Sequence, residues 1–186
     1  VNYLKSFLPW IAFAVVATQF DWRWAGLTGL VISVGVLLRA RSEGRKPDAL
    51  IIEWSGLAFF VVLTAIAFSV PASPLKNYTG ALTELWLAVT AWGSILIGRP
   101  FTLGIARMMT PPESWENPLF KRVNLLVTLV WAISFTVGGV AGIALLNYAP
   151  HATFALIALK VLGFGVPAVF TVQYPRAVRA RIQKAG

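Results

Sequence analysis

The chain has 186 residues, 58% of them hydrophobic and only 12% charged, with a formal net charge of +9. A domain folded in water carries about 25% charged residues, so this chain has too little polar surface for a water-soluble globule and its solvent must be lipid. There is no cysteine and a single histidine, His151, which excludes disulfides, thiolate-held clusters and multi-histidine metal or haem sites; no cofactor and no resident metal is expected.

A membrane-spanning helix takes about 20 mostly apolar residues. The first candidate span covers residues 4–20, with Pro9 near its start. It reads as a retained span and not a cleaved leader, because no small-x-small site precedes Asp21 and another apolar run follows at once. The polar break Asp21-Trp22-Arg23-Trp24 turns the chain back, and its tryptophans suit the headgroup level. A second span follows at 25–40, with Gly26, Gly29 and Ser33 at helical spacing, which lets another helix approach closely. The third covers 50–70 and ends at Pro71-Ala72-Ser73-Pro74; the fourth covers 79–98. A polar connection at 99–122 leads to the fifth span at 123–148, closed by Pro150, and then to the sixth at 152–174. No internal repeat and no long linker is visible, so 1–186 reads as one transmembrane domain.

Positive charge alternates between the two sides of these spans. Clusters fall at 39–46, 99–122 and 176–184, whereas the 21–24 turn, the 71–78 loop and 147–151 are poor in Lys and Arg. The positive-inside rule then places both termini in the cytoplasm, giving a six-helix bundle with N-in and C-in topology. Contact with the anionic cytoplasmic leaflet accounts for the basic balance more simply than nucleic acid does, and no nucleic-acid partner is expected.

Within the connection, Thr110-Pro111-Pro112-Glu113 has the pattern of a helix start: Thr as cap, Pro first in the helix, Glu three after the cap. A short interfacial helix anchored by Trp115 competes there with an ordinary loop. Arg99, at the inner end of the fourth span, suits lipid phosphate.

An ionisable group at membrane depth points to function by default, because inserting one costs at least ~2.5–3.5 kcal/mol. Glu53, Glu84 and Lys160 are the candidates. Glu84 lies roughly 8 Å and Lys160 roughly 12 Å from the outer ends of their helices at ~1.5 Å per residue. An ion pair between them would tie the fourth and sixth helices; otherwise each snorkels separately to the interface. Glu53 is expected among headgroups or paired with Arg99. In the sixth span, Gly163-Phe164-Gly165-Val166-Pro167 predicts a kink. Gly138 and Gly142 form a small-xxx-small pair, a contact face for another helix of this chain or of a partner. Asn124, Thr128, Trp131 and Phe135 share one helix face and are expected to bond across helices. No paired carboxylates, catalytic triad or phosphate-binding glycine loop can be assembled, so enzymatic activity has the least support.

Several short motifs recur together: FLPWIAFAV at the start, IGRPF closing the fourth span, Pro111 four before Trp115, N-x-x-x-T-x-x-W-x-x-x-F from Asn124, and LKVLGFG in the last span. In this order they resemble the intracellular septation protein A family over nearly the whole chain. Pro9, Arg99, Pro100, Trp115, Asn124, Trp131, Phe135, Lys160 and Gly163 match its pattern. The Trp115 to Asn124 spacing is longer than the family's, and Gly142 stands where the family carries Asn. The resemblance implies a multi-pass protein of the bacterial inner (cytoplasmic) membrane, serving envelope upkeep and cell division through partner proteins, with no catalytic residues.

Two functions are therefore expected. The first is a non-enzymatic septation or envelope factor, or an accessory subunit of a membrane complex. It would work through lipid and protein contacts, self-association included, at the Gly138/Gly142 face and the Trp115 connection. The second is a small-solute transporter or channel using Glu84 and Lys160 along a kinked sixth helix.

Overall fold

The computed structural model describes residues 6–45 and 49–185. The beginning of the expected first span, with Lys5, and Lys46 of the basic loop lie outside these residues. Every regular element among the described residues is helical: α1 (Leu8–Gln19), α2 (Trp22–Ser42), α3 (Ile51–Ser69), α4 (Thr79–Leu96), α5 (Phe101–Arg107), α6 (Pro118–Tyr148) and α7 (Thr153–Ala185), with 3-10 turns at Pro74–Tyr78 and Pro112–Ser114. Four helices, α2, α3, α6 and α7, are long and apolar enough to cross a membrane. A fifth span results if Pro74–Leu96 and Phe101–Arg107, bent by 77° at their junction, count as one. α1 is apolar but has only 12 residues.

The sequence accounts for most of these boundaries. Pro9 does not interrupt α1; it occupies the first turn, where its missing N–H costs nothing. Asp21 caps α2 by accepting from the Arg23 backbone N–H, and the Arg23 side chain returns to it at 2.7 Å. That N–H and the guanidinium hold the Asp21 carboxyl below its usual range. α4 ends at Gly98, whose φ of +69° suits glycine. The Arg99 N–H returns to the Ser94 carbonyl, and Ser94 Oγ accepts from the Phe101 N–H at 3.1 Å, fixing the sharp turn into α5. Asn117 caps α6 through its bond from the Leu119 N–H.

The contacts divide the chain into two units, Val1–Thr83 and Glu84–Gly186. In the first, α1 packs on α2 and α2 on α3. α2 and α3 run antiparallel with one register: Trp24 meets Phe68, Gly26 meets Thr64, Gly29 meets Phe60, and Arg41 lies over Trp54. Gly29 leaves room for the Phe60 ring at its crossing, because a Cβ there would stand 2.3 Å from a ring carbon. Phe60 is fully buried, with Trp10, Phe13 and Phe59 around it at ring-centroid distances of 4.9, 5.5 and 5.2 Å. Trp22, expected at the headgroup level, is buried and donates to the Pro71 carbonyl, while Trp24 stays exposed. At the other end Glu43 binds Arg39 and Arg45, which keep its carboxyl below the ordinary range.

In the second unit α5 and α7 pack on α6. α4 meets α6 where Gly138 and Gly139 leave room for Glu84 and Leu85. Of the two readings left open for the connection after Thr110, the loop is the one that forms: only the 3-10 turn Pro112–Ser114 follows, with Pro111 in the cap position, and the short helix of the connection is α5, which precedes Thr110. Thr110 donates back to the Ala106 carbonyl, which takes its hydroxyl away from capping. One expectation is corrected as well. The basic stretch after Tyr174 is no separate tail. α7 continues through Pro167 and Pro175 to Ala185, with Lys184 in its last turn favourably placed against the helix dipole.

Candidate functional site

The polar side chains of the second unit lie largely at helix crossings. Asn124, Thr128, Trp131 and Phe135 are all buried along one face of α6. Thr102 of α5 donates to the Asn124 carbonyl at 2.9 Å and lies 2.7 Å from Thr128 Oγ1. Since each hydroxyl has one proton, Thr128 is then the donor to Thr102. Asn124 Nδ2 donates one turn back to the Phe120 carbonyl. Trp131 Nε1 donates to Thr171 Oγ1 on α7 at 2.9 Å, and Thr171 donates to the Pro167 carbonyl. The rings of Trp131, Phe135 and Phe164 close this crossing. Pro167 is fully buried, and Gly163 has no atom within 4 Å of where a Cβ would stand.

Glu84 is buried to 4% exposure. A Cβ on Gly138 would lie 2.2 Å from its Oε2, so the missing side chain of Gly138 makes the seat of this carboxylate. Gly139 seats Leu85 in the same way, with Leu85 Cγ 2.6 Å from the Cβ position. At both positions the glycine face is filled by a helix of this chain, one of the two occupants expected for it; Gly142, one turn on, is buried. Lys160 is exposed on α7. Its charge acts on Glu84, while the ion pairs within 4.0 Å among the described residues join other groups.

In the connection, Arg99 is exposed and Trp115 half-buried. Trp115 Nε1 donates to the Thr110 carbonyl, and the Arg107 guanidinium lies 5.4 Å from its ring centre. The indole thus closes the loop back on α5. Glu116 binds Lys121 and is held below the usual carboxylate range by it.

Glu53 has the most unusual surroundings. Expected among headgroups or paired with Arg99, it is 4% exposed in the first turn of α3, with Arg45 as the nearby cation. Its Oε1 accepts from Ser6 at 2.7 Å and lies 3.9 Å from Arg45 Nη1, whereas Arg45 is tightly bound to Glu43 at 2.6 Å. Its Oε2 has no hydrogen-bond partner. It lines a narrow cleft with no room for a water molecule, together with Ser6, Pro9, Trp10, Ser33, Val36, Ile52 and Gly56. Two further lining atoms, Trp10 Nε1 and Ser33 Oγ, are also buried without a partner. Among the described residues these three unpartnered atoms come from three different helices. The sequence signals Glu53 and the smallness of Ser33, but gives no sign that Ser6 and Trp10 join them.

Among the described residues no three His, Asp or Glu side chains are grouped to hold a metal ion. No protein-family model, curated protein or solved structure matches the chain.

Proposed function

We propose that the chain is a six-span protein of the bacterial inner membrane with both termini in the cytoplasm, acting without catalysis through lipid and protein contacts. The role would be that of a septation or envelope-maintenance factor, as its resemblance to the septation protein family suggests, or of an accessory subunit of a membrane complex. The observation that carries this reading is the use made of polar side chains in the second unit. Thr102, Thr128, Trp131 and Thr171 bond one helix to the next through their side chains, which is what polar groups in a packed membrane scaffold do, whereas the Asn124 amide, expected to do the same, bonds within its own helix. Six spans require α1, extended by the residues before it, and the bent α4–α5 pair each to cross; the alternation of basic loops supports that count. Because Gly138 and Gly139 are occupied within the chain, the surfaces left for a partner are the Trp115 connection and the exposed apolar residues of α7, among them Phe154, Val161 and Leu162.

Topology and partnership are tested together. The chain lacks cysteine, so single cysteines at Asn77, Glu113 and His151 report sidedness directly. Only Glu113→Cys should react from the cytoplasmic face; labelling of His151→Cys from that face would overturn the topology. Purification in mild detergent with mass spectrometry should recover a protein partner that is lost when Trp115 is changed to Ala. A lone chain with unchanged stoichiometry in both forms would refute the contact role.

A further inference from the structure

We propose that Arg176 and Arg179, near the C-terminal end of α7, hold the phosphate of one anionic phospholipid whose acyl chains lie along the same face of the helix. This names the lipid in the contact role proposed above, and it rests on α7 crossing the membrane, for which the helix is long and apolar enough.

Charge sets this end of α7 apart. Several other cations are neutralised or covered within the chain: Glu43 binds Arg39 and Arg45, Glu116 binds Lys121, and Arg41 lies over Trp54. After Glu116 the sequence has no Asp or Glu, so neither α6 nor α7 carries an acid to answer the cations at its end. Arg176, Arg179, Arg181 and Lys184 are all exposed. The ion pairs within 4.0 Å among the described residues involve none of them. The counter-charge has to come from outside the chain.

Helical register then separates the four. Val169, Val172, Arg176 and Arg179 follow one another at steps of three, four and three, and all are exposed. An apolar strip on one face of α7 therefore runs directly into two arginines one turn apart. This face is not the one that packs on α6, which is marked by Phe164 and Thr171 against Trp131. At ~1.5 Å per residue the stretch from Thr153 to Tyr174 is about as long as the ~30 Å hydrocarbon core. That brings Arg176 to the depth of the phosphates while Val169 and Val172 stay among acyl chains. Arg181 follows Arg179 by two residues, about 200° round the helix, so it falls on another face.

An anionic phospholipid matches both halves of the strip, with chains on the valines and phosphate oxygens on the planar N–H groups of the guanidiniums. A soluble phosphate would use the arginines alone. A zwitterionic lipid would bring its own ammonium up to two guanidiniums, so a headgroup of net negative charge is favoured.

Delipidated protein in mild detergent, offered equal amounts of phosphatidylglycerol and phosphatidylcholine with the same acyl chains and read by native mass spectrometry, tests this. One phosphatidylglycerol should be retained per chain, favoured over the zwitterionic lipid. A basic side chain beside an anionic lipid surface is worth about fivefold in binding. Arg176→Gln and Arg179→Gln should therefore each cut the preference about fivefold, and the double variant should remove it. Arg181→Gln takes the same charge from another face and should leave the preference within about twofold of the wild type. Equal retention of the two lipids overturns the proposal, and so does a loss in Arg181→Gln as large as in Arg176→Gln, which would mean general attraction to a basic helix end. Both arginines are exposed and unpaired, so the variants should fold; Arg176→Lys with Arg179→Lys, which keeps the charge, should keep most of the preference, and its complete loss would also refute the reasoning. Excess glycerol phosphate, which has the charge without the chains, should leave the lipid in place, and displacement by it would overturn the lipid assignment. Headgroup selectivity in detergent does not depend on orientation, so a wrong topology, read by cysteine labelling, and a wrong lipid give distinguishable results.

Discussion

Replacing Gly29 by Ala is the most exacting test of the first unit. In a lipid-facing helix the change should stabilise, because Ala is favoured over Gly by about 0.8–1 kcal/mol in a helix interior. At Gly29 the added methyl carbon would meet three Phe60 ring carbons at 2.3, 2.5 and 2.8 Å. An ordinary carbon contact is ~3.5–4.0 Å, so the ring must shift by roughly 1 Å. It has nowhere to go, being fully buried among Trp10, Phe13 and Phe59. Overpacking of this kind costs about 1–3 kcal/mol, which after the propensity gain leaves a net loss of up to about 2 kcal/mol, towards the upper end here because the ring is enclosed. Gly35, on the same helix with no atom within 4 Å of its Cβ position, is the internal control. Gly35→Ala should stabilise while Gly29→Ala destabilises, as read by reversible unfolding in mixed micelles. In a Phe60→Leu background the cost of Gly29→Ala should fall below about 0.5 kcal/mol, since the clashing ring edge is gone. The same cost in both backgrounds, or equal behaviour of the two alanines, would refute the steric account.

In the second unit, Thr171→Val and Trp131→Phe should each destabilise by about 1 kcal/mol. A double-mutant cycle between them should return a coupling of about 0.6 kcal/mol, the mean for interhelical hydrogen bonds in membranes, and at most ~1.7; zero coupling would remove that bond from the scaffold. Gly139→Ala should be worse tolerated than Gly138→Ala. The first meets Leu85 Cγ and, at 3.1 Å, its backbone N, whereas the second meets mainly a carboxylate oxygen that can turn away; unfolding midpoints in the reverse order would sink this ranking. Glu43 is held below its usual pKa by Arg39 and Arg45, so its contribution is present above the unfolded value and lost as pH falls through the folded one. The stability difference between the wild type and Glu43→Gln should shrink between about pH 5 and pH 3, and a difference constant over that window would contradict the assignment.

The apolar runs were legible because periodicity and length alone decide them. The second and third spans appear within a few residues of their expected limits as α2 and α3, as does the start of the last as α7. The buried face from Asn124 to Phe135 was legible for the same reason: steps of four, three and four keep it on one side of a helix. The end of α7 was not: the apolar run stops at 174, before Pro175, and nothing local reveals that the helix continues past a single missing N–H to Ala185. Whether a helix or an ordinary loop follows Thr110 was left open by the sequence, because a capping pattern at Thr110 competes with a bond to Ala106 and a one-dimensional pattern does not show which acceptor lies nearer; the loop, with one 3-10 turn, is what forms. Ser6, Trp10, Ser33 and Glu53 come from three helices and a preceding turn, up to 47 residues apart for Ser6 and Glu53. Only the tertiary fold brings them to one cleft.

Equal burial does not put the two membrane-depth carboxylates of this chain in equal settings. Glu53 and Glu84 have the same 4% exposure and both sit in apolar helices. Their settings differ in what the neighbours offer. Glu84 lies on Gly138, whose missing side chain is shaped to it, and changing either partner is felt first in helix packing. Glu53 has one oxygen held by Ser6, and its other oxygen shares a cleft with an indole N–H and a hydroxyl that also lack partners. Glu53→Gln and Glu84→Gln should therefore diverge: the first should change the unfolding midpoint little, because the Ser6 hydroxyl can still donate to an amide oxygen, and the second should change it more through the contact with Gly138. Equal shifts in the two variants would refute the distinction between the two carboxylates.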